Sequence, residues 1–262
     1  MKLISSNVGI KIDNSQKVGE FLLSQNADIV LLQEVIRHFE DKVFEMYQSK
    51  AQIEKIIGKN LPYSFFGPQW ITDAMKHNGA MHRDFNGLVE QGNEILSKFP
   101  IVTATNEHYY KHYSLELEWS HFFTDDHPRS ILVVELNILG KKLQIINVHG
   151  LYSRDKQDSA RTVAQSKYIL NAAQRKKIPT IIAGDFNLFP DTKSIKMISK
   201  KYRNLITENN ISSTRPDFND GTDKGNNVVD YVFVDKNIKV NNFEVLNTNI
   251  SDHLPLVLDF EI

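Results

Sequence analysis

Short apolar runs recur along the chain, and most of them stop on a polar or charged residue. Leu3 to Ile10 is the first, a predicted strand that closes on Asn7, Val8 and Gly9. Gln16 to Gln25 follows with Val18, Phe21 and Leu22 at helical spacing. Ala27 to Glu34 is a second buried strand, rich in branched side chains and ending on Gln33 and Glu34. Val43 to Ile57 reads as a helix, and Pro62 to Gly92, irregular and rich in aromatics, glycine and histidine, as loops. Gly92 to Ile101 is a strand with a turn at Pro100. Ser130–Ile138 and Lys142–His149 flank Leu139, Gly140 and Lys141, a hairpin signal that predicts antiparallel pairing. A helix over Ser159 to Ala173 precedes the apolar run Thr180 to Ala183, which Gly184 breaks. A basic helix around Thr192 to Tyr202, a polar and turn-rich stretch from Asn209 to Asn227, and strands over Val228–Val234, Lys239–Asn247 and the residues after His253 complete the chain. Strand–helix–strand order with continuous apolar strands predicts an α/β arrangement, a sheet covered by helices.

Composition narrows the chemistry. Hydrophobic residues make up 41% of the 262 and charged residues 24%, as in an ordinary globular protein. With 31 Lys and Arg against 32 Asp and Glu the net charge is -1, so bulk charge does not hold this chain to polyanions. Cysteine is absent, which removes disulfides, thiolate metal sites and a cysteine nucleophile. Any metal must therefore sit on oxygen and imidazole. The amino terminus lacks a signal peptide's apolar core and cleavage site, and no run of about 18 apolar residues occurs, so a cytoplasmic protein without a membrane span is expected. No repeat or linker divides the chain, and one domain over residues 1–262 is expected.

The strand ends carry the candidate chemistry. Asp185 and Asn187 follow the Thr180–Ala183 run at alternate positions, which in an extended segment point the same way. A carboxylate beside an amide suits the holding of a water; a strand end with a turn-forming Asp is the plainer reading. Glu34 lies where another apolar run stops, and an acid opening a helix is its plain alternative. His149 closes a third run. Asp230 interrupts the apolar Val228–Val234 strand, where a buried carboxylate is costly unless a cation or strong donor meets it. Asp252 and His253 stand just before the last strand. Taken together, amide and carboxylate oxygens suit Mg²⁺ or Mn²⁺. Asn106 to Arg129 holds His108, His112, His121 and His127 among Tyr109, Tyr110, Tyr113, Trp119, Phe122 and Phe123. A metal site, aromatic packing and a stacking groove are the readings open there, packing being the commonest use. His108 and His112 have the spacing of a zinc helix but lack its glutamate.

The ordered series SSNVG (5–9), LLQE (31–34), GNEILSKFP (92–100), INVHG (146–150), IIAGDFN (181–187), VVDYVFV (228–234) and SDHLPL (251–256) resembles the endonuclease/exonuclease/phosphatase superfamily, with its DNase I-like fold. GDFN and SDHLPL are the most specific pieces, and the likeness runs from Asn7 to Leu256. It implies a four-layer α+β sandwich, two mostly antiparallel sheets packed face to face with helices outside, in place of the parallel sheet. It also implies a metal-dependent hydrolase of phosphodiesters or phosphomonoesters, acting as a monomer on a phosphoester substrate, nucleic acid among them. By position, Glu34, Asn7 and Asp252 correspond to the metal side. Asp185 and Asn187 correspond to the pair that orients or deprotonates water, His149 and His253 to the phosphate contacts, and Asp230 to the partner of His253. Asn93, Tyr152 and Arg215 are candidate substrate contacts, and Arg161 with Gln165 resembles an Arg-x-x-x-Gln pair common after the histidine motif. Gly9 stands where nucleases of the apurinic-site class place Asp, which tells against that class. A phosphatase or phospholipase-C-like esterase is the alternative to a nuclease, and a non-catalytic binding module the third reading.

Overall fold

The computed structural model describes residues 1–9, 15–39, 49–73, 88–114, 127–216 and 227–262. The elements run β1 (Lys2–Asn7), α1 (Ser15–Ser24), β2 (Ile29–His38), α2 (Ser49–Ile57), β3 (Tyr63–Asp73), β4 (Leu88–Ser97), β5 (Ile101–Tyr110), β6 (Arg129–Ile138) and β7 (Lys141–His149). Then come α3 (Ala160–Gln174), β8 (Thr180–Asp185), α4 (Lys193–Ser199), β9 (Arg203–Asn204), α5 (Leu205–Glu208), β10 (Asp230–Val234), β11 (Lys239–Val245) and β12 (Leu256–Glu261). One six-stranded sheet has the order β11-β12-β1-β2-β4-β3 and the other β5-β6-β7-β8-β10-β9.

The two orders match strand for strand in direction. Each sheet centres on a parallel pair, β1 with β2 and β7 with β8, and every other pairing is antiparallel. In each case a helix joins the parallel pair, α1 in the first sheet and α3 in the second, as a parallel connection requires. The expected sheet of helix-covered parallel strands is therefore corrected to two mixed sheets. The continuous apolar runs have a different cause. Leu3, Ile29 and Leu31 face the second sheet's Leu143, Ile145 and Ile181, while Ile4, Val30 and Leu32 face Val18, Leu22 and Ile53 of the helices. Alternate residues of β1 and β2 enter two different cores, so no polar face remains.

Pro62 to Gly92 also departs from the loop expectation, because β3 runs through Gly67 and Pro68. β3 is an edge strand and its register shifts at Pro68/Trp70, which is where a strand tolerates proline. Trp119, His121, Phe122, Phe123 and the first residues of the Val43–Ile57 helix lie outside the described residues. Among the described residues, no helix is long and apolar enough to cross a membrane.

Candidate active site

Three of the expected site residues stand in one row. β7, β8 and β10 are neighbours, and their registers place His149 opposite Asp185 and Asp185 opposite Asp230. The row forms at the carboxyl ends of the parallel pair, where each apolar run stops. Gly184 lets β8 close against β7 there: its φ is +138° and a β-carbon on it would sit 2.0 Å from the Val148 carbonyl oxygen.

Asn187 reaches the row by another route than an extended strand. β8 ends at Asp185, and Asn187 adopts a left-handed φ of 56°. The Asp185 Oδ1 atom accepts from the Asn187 backbone N–H at 2.7 Å and Oδ2 from the Asn187 amide at 3.2 Å, an Asx-type turn that folds one side chain onto the other. Asparagine suits this place because it enters the left-handed region readily.

The first sheet supplies Asn7 and Glu34. The Asn7 amide spans the sheets, donating to Glu34 Oε1 at 3.1 Å and to Asp185 Oδ2 at 3.0 Å, while its Oδ1 accepts from the Gly9 N–H at 2.9 Å. Glu34 does not end its strand. β2 continues to His38, and its register against β4 shifts between Leu32 and Val35, a bulge in which Glu34 takes a φ of 59°. The bulge re-aims the Glu34 carboxylate. Asn147 secures it, donating to the carbonyls of Leu32 and Glu94 at 2.9 and 3.0 Å and accepting from Gln33 at 2.7 Å. Leu32 and Glu94 are the last regular pair before the bulge.

His253 comes from the turn before β12. Ser251 ties that turn to β1, its hydroxyl donating to the Asn7 carbonyl at 2.8 Å and accepting from the His253 N–H at 3.2 Å. His253 Nδ1 lies 3.0 Å from each oxygen of Asp230, and Nε2 lies 3.8 Å from Asp185 Oδ2. Thr214 donates to Asp230 Oδ2 at 2.7 Å. Burial disfavours the charged imidazole, yet Asp230 and Asp185 outweigh it and raise its pKa to about 9. His149 is the opposite case: burial, with Arg129 adding to it, holds its pKa well below 6.5, so it is neutral. Asp185 is buried, which works against the charged form, but the cationic His253 and Lys156 bring its pKa below the ordinary value. Burial raises that of Asp230, Asp185 adding and His253 opposing.

Further side chains hold the site, and sequence reasoning passed over several of them. The Lys156 ammonium donates to Asn187 Oδ1 at 2.6 Å and lies 3.8 Å above the Tyr152 ring. Burial, against the pull of Asp185, lowers its pKa to about 8. Arg129 donates from Nε to the Gly150 carbonyl at 2.9 Å. The Tyr109 hydroxyl lies 3.1 Å from both the His149 carbonyl and Gln165 Oε1, and Gln165 Oε1 also accepts from the Leu151 N–H at 2.8 Å. These contacts clamp the backbone from the His149 carbonyl to Leu151. A lysine, an arginine and a tyrosine in separate polar stretches give no spacing signal; only Gln165 belonged to a motif.

A cavity of about 250 Å³ gathers most of this set. Glu34, His149, Asp185, Asn187 and His253 line it, together with Tyr152, Lys156, Arg215 and Asp252 and with Trp70, Gln91, His127 and Arg129. Arg215 is paired with Asp252 at 2.6 Å at the mouth. Asn93 is not on the wall: it is fully buried behind it, donating to the Ser130 carbonyl at 3.3 Å. His127 stacks on Trp70 with centroids 5.3 Å apart, His108 lies 3.1 Å from the Gln69 carbonyl, and the described histidines of 106–129 form no metal cluster.

A divalent cation fits the acidic side. Glu34, His149 and Asp185 offer ligand atoms within 4.8 Å of one another. Burial and then the repulsion of Asp252 raise the Glu34 pKa, with Asp185 adding, so the carboxylates crowd one another in a way a hard cation relieves.

Residues 4–253 match the profile described as Endonuclease/Exonuclease/phosphatase family. No curated protein matches the chain by sequence. The endonuclease/exonuclease/phosphatase family protein from Leptotrichia buccalis superposes with a TM-score of 0.70 at 16% identity, over 100% of both chains. The mannosyl-6-phosphatase Bt3783 of Bacteroides thetaiotaomicron gives 0.67 at 15% identity over 100% of both chains. A humanized D. rerio TDP2 with 14 mutations gives 0.68 at 16%, over 100% of this chain and 99% of that one. These likenesses are of fold, the α+β sandwich described above.

Proposed function

Because the chain belongs to the endonuclease/exonuclease/phosphatase family, we propose that it is a Mg²⁺- or Mn²⁺-dependent hydrolase of phosphoester bonds, with phosphodiesters, nucleic acid among them, as its substrates. The observation that supports this most is the meeting of an ionised carboxylate and a cationic imidazole: Asp185 Oδ2 lies 3.8 Å from His253 Nε2, with Asp230 behind the ring.

Asp185, kept ionised by the groups around it, accepts a hydrogen bond from the attacking water and holds it in line. Its lowered pKa suits orienting that water and taking the proton late, when the nucleophile has become more acidic. Asn187 and Asn7 fix the carboxylate by donating to it. His253 presents a charged N–H to the phosphoryl oxygens as negative charge develops on them. His149, neutral, adds an uncharged donor to the same oxygens. Glu34, with Asn7 and Asp252 beside it, would hold the metal, which when bound polarises the phosphoryl oxygen and stabilises the leaving alkoxide. Tyr152 and Arg215 stand at the mouth to meet the rest of the substrate. Water attacks directly, and no covalent enzyme intermediate is needed.

A phosphomonoester or lipid headgroup is the second reading, favoured by the near-neutral net charge and by the small volume of the cavity. An activity panel with Mg²⁺ and Mn²⁺ tests both. It comprises single- and double-stranded DNA, RNA, bis-p-nitrophenyl phosphate, inositol phosphates and sphingomyelin. Turnover of nucleic acid that falls steeply with salt supports the first reading, since phosphate contacts release counterions. Salt-insensitive turnover of a headgroup or sugar phosphate supports the second. No turnover with either metal overturns both.

A further inference from the structure

Lys156 lies in a polar loop, carries no motif, and is nonetheless 8% exposed with its ammonium inside the cavity. Its ammonium donates to Asn187 Oδ1 at 2.6 Å, so the donor-only ammonium and the acceptor-only Asp185 carboxylate fix from opposite ends which way that amide faces. With the carbonyl end taken, the Nδ2 end turns to Asp185 Oδ2 at 3.2 Å.

The backbone is built for this contact. Lys156 has a φ of 54°, a left-handed conformation that a β-carbon disfavours and that persists only where the surroundings impose it. Its own N–H closes a turn on the Ser153 carbonyl at 3.2 Å, and from the Asn187 side the Phe189 N–H donates to the Lys156 carbonyl at 3.0 Å. Two residues further on, Asp158 Oδ1 accepts from the Ser194 N–H at 3.0 Å, fastening the loop to the start of α4. The Tyr152 ring, 3.8 Å beneath the ammonium, limits its other direction. Two left-handed residues, Lys156 and Asn187, thus meet side chain to side chain across two loops that their own backbones tie together.

We infer that Lys156 is a positioning residue of the hydrolytic site, acting through Asn187 to hold its amide toward Asp185 and the attacking water. The inference rests on the hydrolase reading above. An ammonium is suited to the task because it has donors only and cannot accept, so it can never pair with the Nδ2 end of the amide. A neutral amide or hydroxyl in its place could pair with either end, leaving Asp185 alone to set the orientation.

The test uses the full-length protein. Lys156→Met keeps the aliphatic stem against Tyr152 and removes the donor; Lys156→Arg keeps charge and donors. Where the wild type hydrolyses bis-p-nitrophenyl phosphate, Lys156→Met lowers kcat by roughly tenfold or more with KM changed by less than about threefold, and Lys156→Arg recovers part of the loss. The double variant with Asn187→Ala is no slower than Asn187→Ala alone, since both act through one amide. Unchanged kcat in Lys156→Met, or losses that multiply in the double variant, overturns the inference. A second readout needs no activity: the two side-chain N–H signals of Asn187 in ¹⁵N spectra are distinct and slow to exchange in the wild type. They shift and broaden in Lys156→Met. If they do not move, Lys156 does not set the amide, whatever the assay shows. If the wild type lacks activity but the signals move as described, the hydrolase reading fails while the contact stands.

Discussion

His253 Nδ1 lies 3.0 Å from both oxygens of Asp230, and its other nitrogen faces Asp185 at 3.8 Å. One imidazolium thus sits between two buried carboxylates, one behind it and one in front. The same cation steadies the fold and, under the proposed function, would supply charge for a developing phosphorane. Its pKa, raised from 6.5 to about 9, makes both roles depend on pH in the same direction.

The stabilising effect of the raised His253 pKa is fully present below about pH 6.5 and is lost as pH rises through about 9. At roughly 1.4 kcal/mol per unit it has an upper bound on the order of 3 kcal/mol. Urea unfolding from pH 6 to pH 9.5 will show stability falling across that window, and His253→Gln will flatten the fall. Turnover will decline on the alkaline side near pH 9, and Asp230→Asn will move that decline at least one unit lower. An alkaline limb that Asp230→Asn leaves in place contradicts the pairing.

Asn147 bears on the site without touching the cavity. Its side chain carries three hydrogen bonds between the sheets, to Leu32, Glu94 and Gln33. Asn147→Ala removes these buried hydrogen bonds, leaving Gln33 only its longer contact with the Ser5 hydroxyl at 3.4 Å, at a cost of about 2–4 kcal/mol. Because the bonds hold the bulge that turns Glu34, the variant will also need more metal for half-maximal activity. Urea denaturation and a Mg²⁺ titration measure the two effects. A change in stability below about 0.5 kcal/mol would show the sheets do not depend on this bridge.

Much of the constellation was legible because the apolar runs stop where the site begins. Asn7, His149 and Asp185 each follow a run that buries both faces, and Asp230 was conspicuous as a carboxylate in such a run. What brings them together was less visible. Glu34 reads as a strand end, and only the pairing of β2 with β4 shows that the strand continues through a bulge. Asn187 reads as the alternate residue of an extended segment, whereas a left-handed turn places it. Lys156, Arg129 and Tyr109 act across the fold from stretches whose patterns match solvated loops or plain strands, and long-range register alone brings them near. The β3 stretch reads as a loop because it is irregular and rich in aromatics, glycine and histidine, and the strand's edge position is what accommodates Pro68.

Glu34 gives a prediction for the metal. Its carboxylate is pushed up by burial and by Asp252 and Asp185, and loss of its charge weakens the hold on a hard cation. Glu34→Gln will raise the Mg²⁺ concentration for half-maximal turnover at least about tenfold, with the fold intact by circular dichroism, and Mn²⁺ will restore part of the activity. Chelation of divalent ions will abolish wild-type turnover reversibly. Equal Mg²⁺ dependence in the variant and the wild type removes Glu34 from the metal side.

In the proposed function Asp185 directs water at a phosphoester beside the cationic His253. Turnover of bis-p-nitrophenyl phosphate at saturating Mg²⁺, wild type against Asp185→Asn, measures that role. That substitution keeps the shape and removes the charge. The predicted result is hydrolysis by the wild type and a loss of roughly 10²–10⁴-fold in kcat for a variant whose unfolding midpoint shows it folded. A folded Asp185→Asn protein that turns over at the wild-type rate would show that Asp185 does not direct the water.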